Sequence, residues 1–213
     1  MSHFVGLCFG EYWDTDLEQY SEDLEVDGYI EYTKEEAIKE VIRNRPKIYM
    51  NAISAMRDSS LSSQQQEYYQ NIIDKGPSIT EEDAWKEVLE WGYELDEDDN
   101  LISHYNPNSK WDWYCVGGRW NGFLVLKERK EDGSIIEVNE AYFNEIDWDY
   151  MKEWNRIPFC FVDEDGEWYE KGEMGWFAIT TNEMAEDTWR TSFEDYINTV
   201  KDDCLVTVVD FHI

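Results

Sequence analysis

Hydrophobic positions open the chain as one run, HFVGLCF over residues 3–9, which ends at Gly10 and predicts a strand that is at least partly buried. Polar positions then take over. Glu11, Asp14, Asp16, Glu18, Glu22, Asp23, Glu25 and Asp27 follow without one Lys or Arg, which predicts an acidic, exposed connection. From Thr33 the apolar spacing becomes helical. Thr33 with Glu36 makes a capping box, and Ala37, Ile38, Val41 and Ile42 supply the stripe of a helix over 34–44. Pro46 is expected to interrupt it, because proline lacks an N–H and its ring crowds the preceding turn, leaving a second helical piece over 47–56. SSLSSQQQ over 59–66 reads as a loop or a helix edge rather than a domain linker, and 68–73 extends a helix that Gly76-Pro77 stops. Thr80 and Asp83 open another helix, packed through Trp85, Val88 and Leu89 and ended at Gly92.

A second acid run, Glu94, Asp96, Glu97, Asp98 and Asp99, leads into a short strand over 101–105. Beyond residue 123 strand patterns dominate. Segments 123–127 and 135–138 flank the turn Glu131-Asp132-Gly133-Ser134, and 157–162 and 167–170 flank Asp163-Glu164-Asp165-Gly166. Between these hairpins 147–154 reads as a short helix, and 176–180 adds a strand. Asn182 or Thr181 is expected to cap a helix in which Met184, Ala185, Trp189, Phe193, Tyr196, Ile197 and Val200 recur at helical spacing. Residues 204–212 close the chain as a strand rich in Val, Thr and Phe.

This order, a strand, several helices, a run of antiparallel strands, a helix and a last strand, predicts an α+β fold: an antiparallel or mixed sheet with helices mainly on one face. The first and last strands are so apolar that both are expected inside the sheet, with adjacency, as in a decorated ferredoxin-like layer, among the arrangements the pattern allows. No repeat or linker cuts the chain, so one domain over 1–213 is expected, with a helical insertion around 33–92.

Charge changes the picture most. Lys and Arg number 18 against 49 Asp and Glu, a formal charge of −31, while 42% hydrophobic residues separate the chain from disordered acidic tails. Such a surface repels nucleic acid, disfavours anionic membranes and favours basic partners. No direct nucleic-acid binding and no membrane partner are expected. Lys34, Lys39, Arg43, Arg45, Lys47 and Arg57, gathered in the helical segment, are expected to do no more than neutralise acid charge internally. Cys8, Cys115, Cys160 and Cys204 lack metal or disulfide spacing and read as small apolar residues in a reducing compartment. With no signal-like start and no run of eighteen apolar residues, a cytoplasmic location is expected.

The densest chemistry lies in YNPNSKWDWYCVGGRWNGFL, residues 105–124. Asn106-Pro107-Asn108 reads as a turn. After it, strand alternation sets Trp111, Trp113 and Cys115 on one face and Asp112, Tyr114 and Val116 on the other; Gly117-Gly118 breaks or bulges the strand, and 119–126 resumes it as a hairpin-like element. One reading is a core hairpin whose aromatics bury area and whose charges pair. The other is a recognition site formed by Asn106, Lys110, Trp111, Asp112, Trp113, Tyr114, Arg119 and Trp120. There the aromatics stack a nucleotide-like ring, and Lys110, Arg119 and the neighbouring backbone amides meet its phosphate.

The opening Met1-Ser2-His3-Phe4 and the block YNPNSKWDWY followed by Gly117-Gly118-Arg119-Trp120, about thirty residues in all, resemble a family of bacteriophage- and prophage-encoded proteins without an assigned activity. The resemblance implies a phage context and carries over no catalytic or binding residue.

No phosphate-binding loop, dinucleotide fingerprint, nucleophile elbow or zinc-protease motif is present, and the Asp163–Glu167 segment places its glycine wrongly for a calcium loop. No cofactor, metal or catalytic residue is expected. His3 and His212, on the terminal strands, are expected to be structural. The leading expectation is a phage-encoded, non-enzymatic inhibitor of a basic, nucleic-acid-binding host protein of anti-phage defence. It would mimic nucleic acid through Glu11, Asp14, Asp16, Glu18, Glu22, Asp23, Asp96, Glu97, Asp98 and Asp99. The alternative is a binder of a nucleotide-like small ligand through the aromatic hairpin.

Overall fold

The computed structural model describes residues 2–58, 60–175 and 179–213. In chain order its first elements are β1 (His3–Phe9), α1 (Trp13–Leu17), β2 (Tyr29–Tyr32), α2 (Lys34–Ala55), α3 (Ser63–Lys75), α4 (Glu81–Leu89), β3 (Glu94–Leu95) and β4 (Leu101–Ser103). Next come β5 (Trp113–Val116), β6 (Leu124–Arg129), β7 (Ile135–Val138), β8 (Glu140–Tyr142) and α5 (Trp148–Glu153). The chain closes with β9 (Cys160–Val162), β10 (Trp168–Glu170), β11 (Glu173–Met174), β12 (Thr180–Thr181), α6 (Glu186–Ile197) and β13 (Leu205–His212). These elements form two compact units, residues 1–25 with 105–213, and residues 26–104.

The first unit is built on a mixed sheet of order β10-β9-β1-β13-β5, with β8 also pairing β13, and the protein is α+β. As their apolar patterns predict, β1 and β13 are interior neighbours, antiparallel from His3 opposite His212 to Phe9 opposite Val206. The pairing of β1 with β9 is parallel, which departs from an antiparallel ferredoxin-like layer. Both faces of the central strands are covered, so their residues are buried almost without alternation. On one face Val5, Leu7, Phe9, Val206 and Val208 pack with Met151 of α5 and with Trp189, Phe193 and Ile197 of α6. On the other, Phe4, Cys8, Val209 and Phe211 pack with Leu17 and Tyr20.

The second unit sets α2 and α4 against the sheet β2-β4-β3 through Ala37, Val41, Ala84, Val88 and Leu101. It is wider than the helical insertion expected over 33–92, because β2, β3 and β4 belong to it. Here α2 runs unbroken through Pro46. The bond that proline forgoes costs about 3 kcal/mol in a free helix, and burial of Ala37, Val41 and Ala52 together with the Arg45 clamp offsets it. Arg45 is only 3% exposed and donates to the Ile72 and Gly76 carbonyls at the end of α3 and to Glu87 of α4. The polar stretch over 59–66 contains the start of α3: Ser62 and Gln65 form a capping box that the low complexity hid.

Other expectations change where tertiary contacts intervene. The acidic segment after Gly10 is no plain loop, since it winds into α1 and a 3₁₀ turn (Glu18–Tyr20) to bury Leu17 and Tyr20. Helix α6 starts at Glu186, with Ala185 at its N-cap and Met184 outside. Asn182 takes φ +52°, a left-handed conformation, and caps nothing there. Of the strand expected over 176–180, Thr180 lies in β12, and 176–178 fall outside the described residues. Among the described residues no helix is long and apolar enough to cross a membrane.

Candidate functional site

The C-terminal end of β1 gathers the first acid run and the acidic turn over 163–167. Strands β1 and β9 are parallel, so Gly10 and Asp163 leave the sheet at the same end, and Gly10 N–H donates to Leu205 O at the start of β13. Asp163 shapes its own turn, accepting from the amides of Asp165 and Glu167, and Gly166 completes it at φ +81° with its carbonyl accepting from Gln19 Nε2 and the Tyr20 hydroxyl. Those bonds draw α1 over the turn, so that Asp16 lies against Gly166. Glu11, Asp14, Glu18, Glu164, Asp165 and Glu167 are exposed there. Among the described residues none of the carboxylates of 11–25 or 163–167 has a Lys, Arg or His at ion-pair distance.

Neighbouring groups register this negative field. Burial raises the Tyr20 phenol, and Glu167, Asp163 and Asp16 raise it further. The Cys204 thiol is pushed up to about 11 by burial first and by Glu164 and Asp203 after it. Glu22 is raised by burial and then by Asp112 and Asp23.

The acid run over 94–99 behaves differently. Asp96 accepts from the amides of Asp98 and Asn100 and from the Asn100 side chain, while Asp99 pairs with Lys34 at 2.6 Å. Only Glu97 and Asp98 of the four predicted residues there are exposed and without such a role. Of the cations in this unit Arg43 pairs with Glu40 and Arg45 with Glu87, while among the described residues Lys39, Lys47 and Arg57 are exposed without an ion pair, so internal neutralisation holds only in part.

The aromatic block is divided between the two faces of the sheet and is not a hairpin, because β5 pairs with β13 and β6 pairs with β7. Gly117 and Gly118, at φ +74° and +50°, turn the chain out of the sheet into a 3₁₀ turn ending at Trp120. Trp111 precedes the strand and packs beside Tyr114, 5.0 Å between rings, in the core shared with Phe4 and Phe211. Trp113 lies on the opposite face, 42% exposed. Trp120 packs against the other core. Asn106, 2% exposed, donates to the carbonyls of Gln19 and Ser21 and accepts from Asn108 N–H, a structural pin for its turn. Lys110 meets Glu170 at 2.6 Å. The amide of Arg119 donates to Asp210 Oδ2 at 2.9 Å, so the chain's own carboxylate sits where the sequence allowed an external anion, and the Arg119 side chain is exposed.

At this end of the sheet the chain also assembles a cluster that the sequence did not announce. His3 Nδ1 lies 3.0 Å from Asp210 Oδ1 and His212 Nδ1 lies 3.2 Å from Asp112 Oδ2. Carboxylates accept, so both imidazoles carry a proton on Nδ1. The two rings are 4.9 Å apart, and Trp113 stacks on His212 at 4.8 Å. Among the described residues His212 Nε2 is buried without a partner. The placement of His3 and His212 on terminal strands was the available signal; Asp210, inside an apolar strand, was the polar residue to question. Among the described residues no group of three or more His, Cys, Asp or Glu could hold a metal ion.

No family model matches the chain, and neither the curated proteins nor the solved structures contain a match.

Proposed function

We propose that this protein binds a basic protein partner through the acid end of its central sheet and inhibits it without catalysis. The observation that carries the reading is the convergence of the 11–18 and 163–167 carboxylates with no cation among them. A formal charge of −31 exceeds what solubility needs, and exposed like charges on one surface attract a basic groove over a Debye length. The phage resemblance supplies the context for the target, a nucleic-acid-handling protein of host anti-phage defence in the cytosol, and the acid end would occupy the groove that otherwise takes a phosphate backbone. Nucleotide binding by the aromatic block has less support, since Lys110 is neutralised by Glu170 and the Arg119 N–H is already donated to Asp210.

The test is capture from host lysate by wild-type protein and by a variant carrying Asp14→Asn, Glu18→Gln, Glu164→Gln and Asp165→Asn. Wild type is expected to retain a basic nucleic-acid-binding protein that duplex DNA displaces, and the variant to lose it. A complex whose affinity is the same from ~50 to ~500 mM salt, across which screening changes strongly, overturns the reading.

A further inference from the structure

The central sheet ends in an open edge. Strand β5 is the last in the order β10-β9-β1-β13-β5, and beyond it the described residues place no further strand. Its register with β13, Trp113 opposite His212 to Val116 opposite Val209, continues to Gly117, whose N–H donates to Val208 O. In an antiparallel ladder alternate residues turn their main-chain groups away from the partner. With Gly117 facing β13, so do Cys115 and Trp113, and the N–H and C=O of Tyr114 and Val116 point outward. Native edges are commonly blunted by Lys, Pro, a bulge or an inward charge. At four residues β5 is short, another common protection, but WYCV carries no Lys, Pro or charge, and Trp113 and Val116 are 42% and 47% exposed.

The surroundings select what could pair there. Asp112 precedes the strand, and Glu22, whose N–H donates to Trp111 O, lies beside its start. Burial raises the Tyr114 phenol and Asp14 and Glu18 raise it further, so α1 directs carboxylates toward the same strand. A second copy of this chain would bring the same carboxylates to the edge and add a second large negative charge. An extended segment with alternating basic and aliphatic residues meets both features: main-chain bonds to Tyr114 and Val116, aliphatic contact with Val116 on one face, and cations beside Asp112 and Glu22.

We infer that the β5 edge is a strand-addition site for an extended, basic segment of a protein partner. The inference rests on the basic-partner reading above and specifies a second point of attachment and its geometry.

Hydrogen exchange of the full-length protein, read at single amides, tests it with two probes: an alternating lysine–valine peptide, and one of equal charge interrupted by prolines so that it cannot form a strand. The alternating peptide is expected to slow exchange at Tyr114 and Val116 by about tenfold or more, and the interrupted one to leave them unchanged. Val116→Pro removes an outward donor without touching the β13 ladder, and Val116→Lys keeps every main-chain group while adding a repelling charge. Both variants are expected to lose the protection, and the lysine variant preserves the test where the proline variant unfolds. Equal binding of the two peptides with Tyr114 and Val116 unprotected overturns strand addition and leaves the acid end as the sole attachment. Binding of neither peptide removes the basic-partner reading too. Protection at these amides in concentrated protein alone, with a dimer mass in solution, overturns the inference in favour of self-association.

Discussion

At the His3–His212 end of the β1–β13 pair, carboxylates are taken into the structure; at the Phe9–Leu205 end, they are left in water. Asp210, 2% exposed, receives the His3 imidazole and the Arg119 amide, and Asp112, whose side chain stays 42% exposed, receives the buried His212. Glu11, Asp14, Glu18, Glu164 and Asp165 lie on the surface and, among the described residues, have no cation at ion-pair distance. A buried charge requires fixed donors, whereas an exposed one is solvated at little cost and keeps its field for a partner. The same residue types therefore serve cohesion at one end of the sheet and stay solvated and without cations at the other, which is the difference the proposed docking role rests on.

Removing Asp210 attacks that difference most directly. Asp210→Ala removes a buried carboxylate that accepts from two part-buried donors and is expected to destabilise the protein by about 2 kcal/mol, read as a lower denaturant midpoint. Loss under about 0.5 kcal/mol, the range of ordinary surface substitutions, would place this carboxylate with those of the acid end.

A smaller effect is expected from alkaline pH at the acid end. The Cys204 thiol is raised from 9.0 to about 11 by burial, Glu164 and Asp203, so the folded state favours the protonated form. Its contribution to stability is complete below pH 9 and is lost as pH rises toward about 11. Melting temperature measured across that window should fall, and Cys204→Ala should flatten the fall. An unchanged slope in that variant would move the effect to Cys8 and Cys160, which burial also raises.

The smallest change is predicted for the acid end itself. Asp14→Asn with Asp165→Asn should alter stability by no more than about 0.5 kcal/mol, and in the stabilising direction at low salt, because self-repulsion decreases. A marked loss of stability would show these carboxylates to be structural and sharpen the case against a docking role.

Much of the fold was legible because its causes are local. Thr33 with Glu36, and Thr80 with Asp83, cap helices where sequence spacing says they should, and Glu131 to Ser134 turns a hairpin. The apolar terminal strands were legible as interior strands, and their pairing is one of the arrangements the pattern allowed. Legibility failed where a distant contact outweighed a local rule. Pro46 stays within α2 because Arg45 fastens that helix to α3 and α4, and Gly117-Gly118 ends β5 with Asp210 packed against Gly118, where a Cβ would collide with its carboxylate. In the candidate block the residue types were legible as chemistry. Their division between faces was not, since it depends on β5 starting at Trp113 and pairing with a strand about a hundred residues away.

By itself the sequence determined the capped helix starts at Thr33 and Thr80, several turns, two apolar central strands and an excess of negative charge, since propensity, capping and composition act within a few residues. Only the tertiary structure decided which charges are neutralised. His3 and Asp210 are 207 positions apart, His212 and Asp112 100, Lys110 and Glu170 60, and Gln19 and Gly166 147. No local rule couples residues at such separations. Whether a carboxylate becomes a buried acceptor or part of an open acidic surface depends on which strand the chain brings beside it, and that is settled by packing of the whole core.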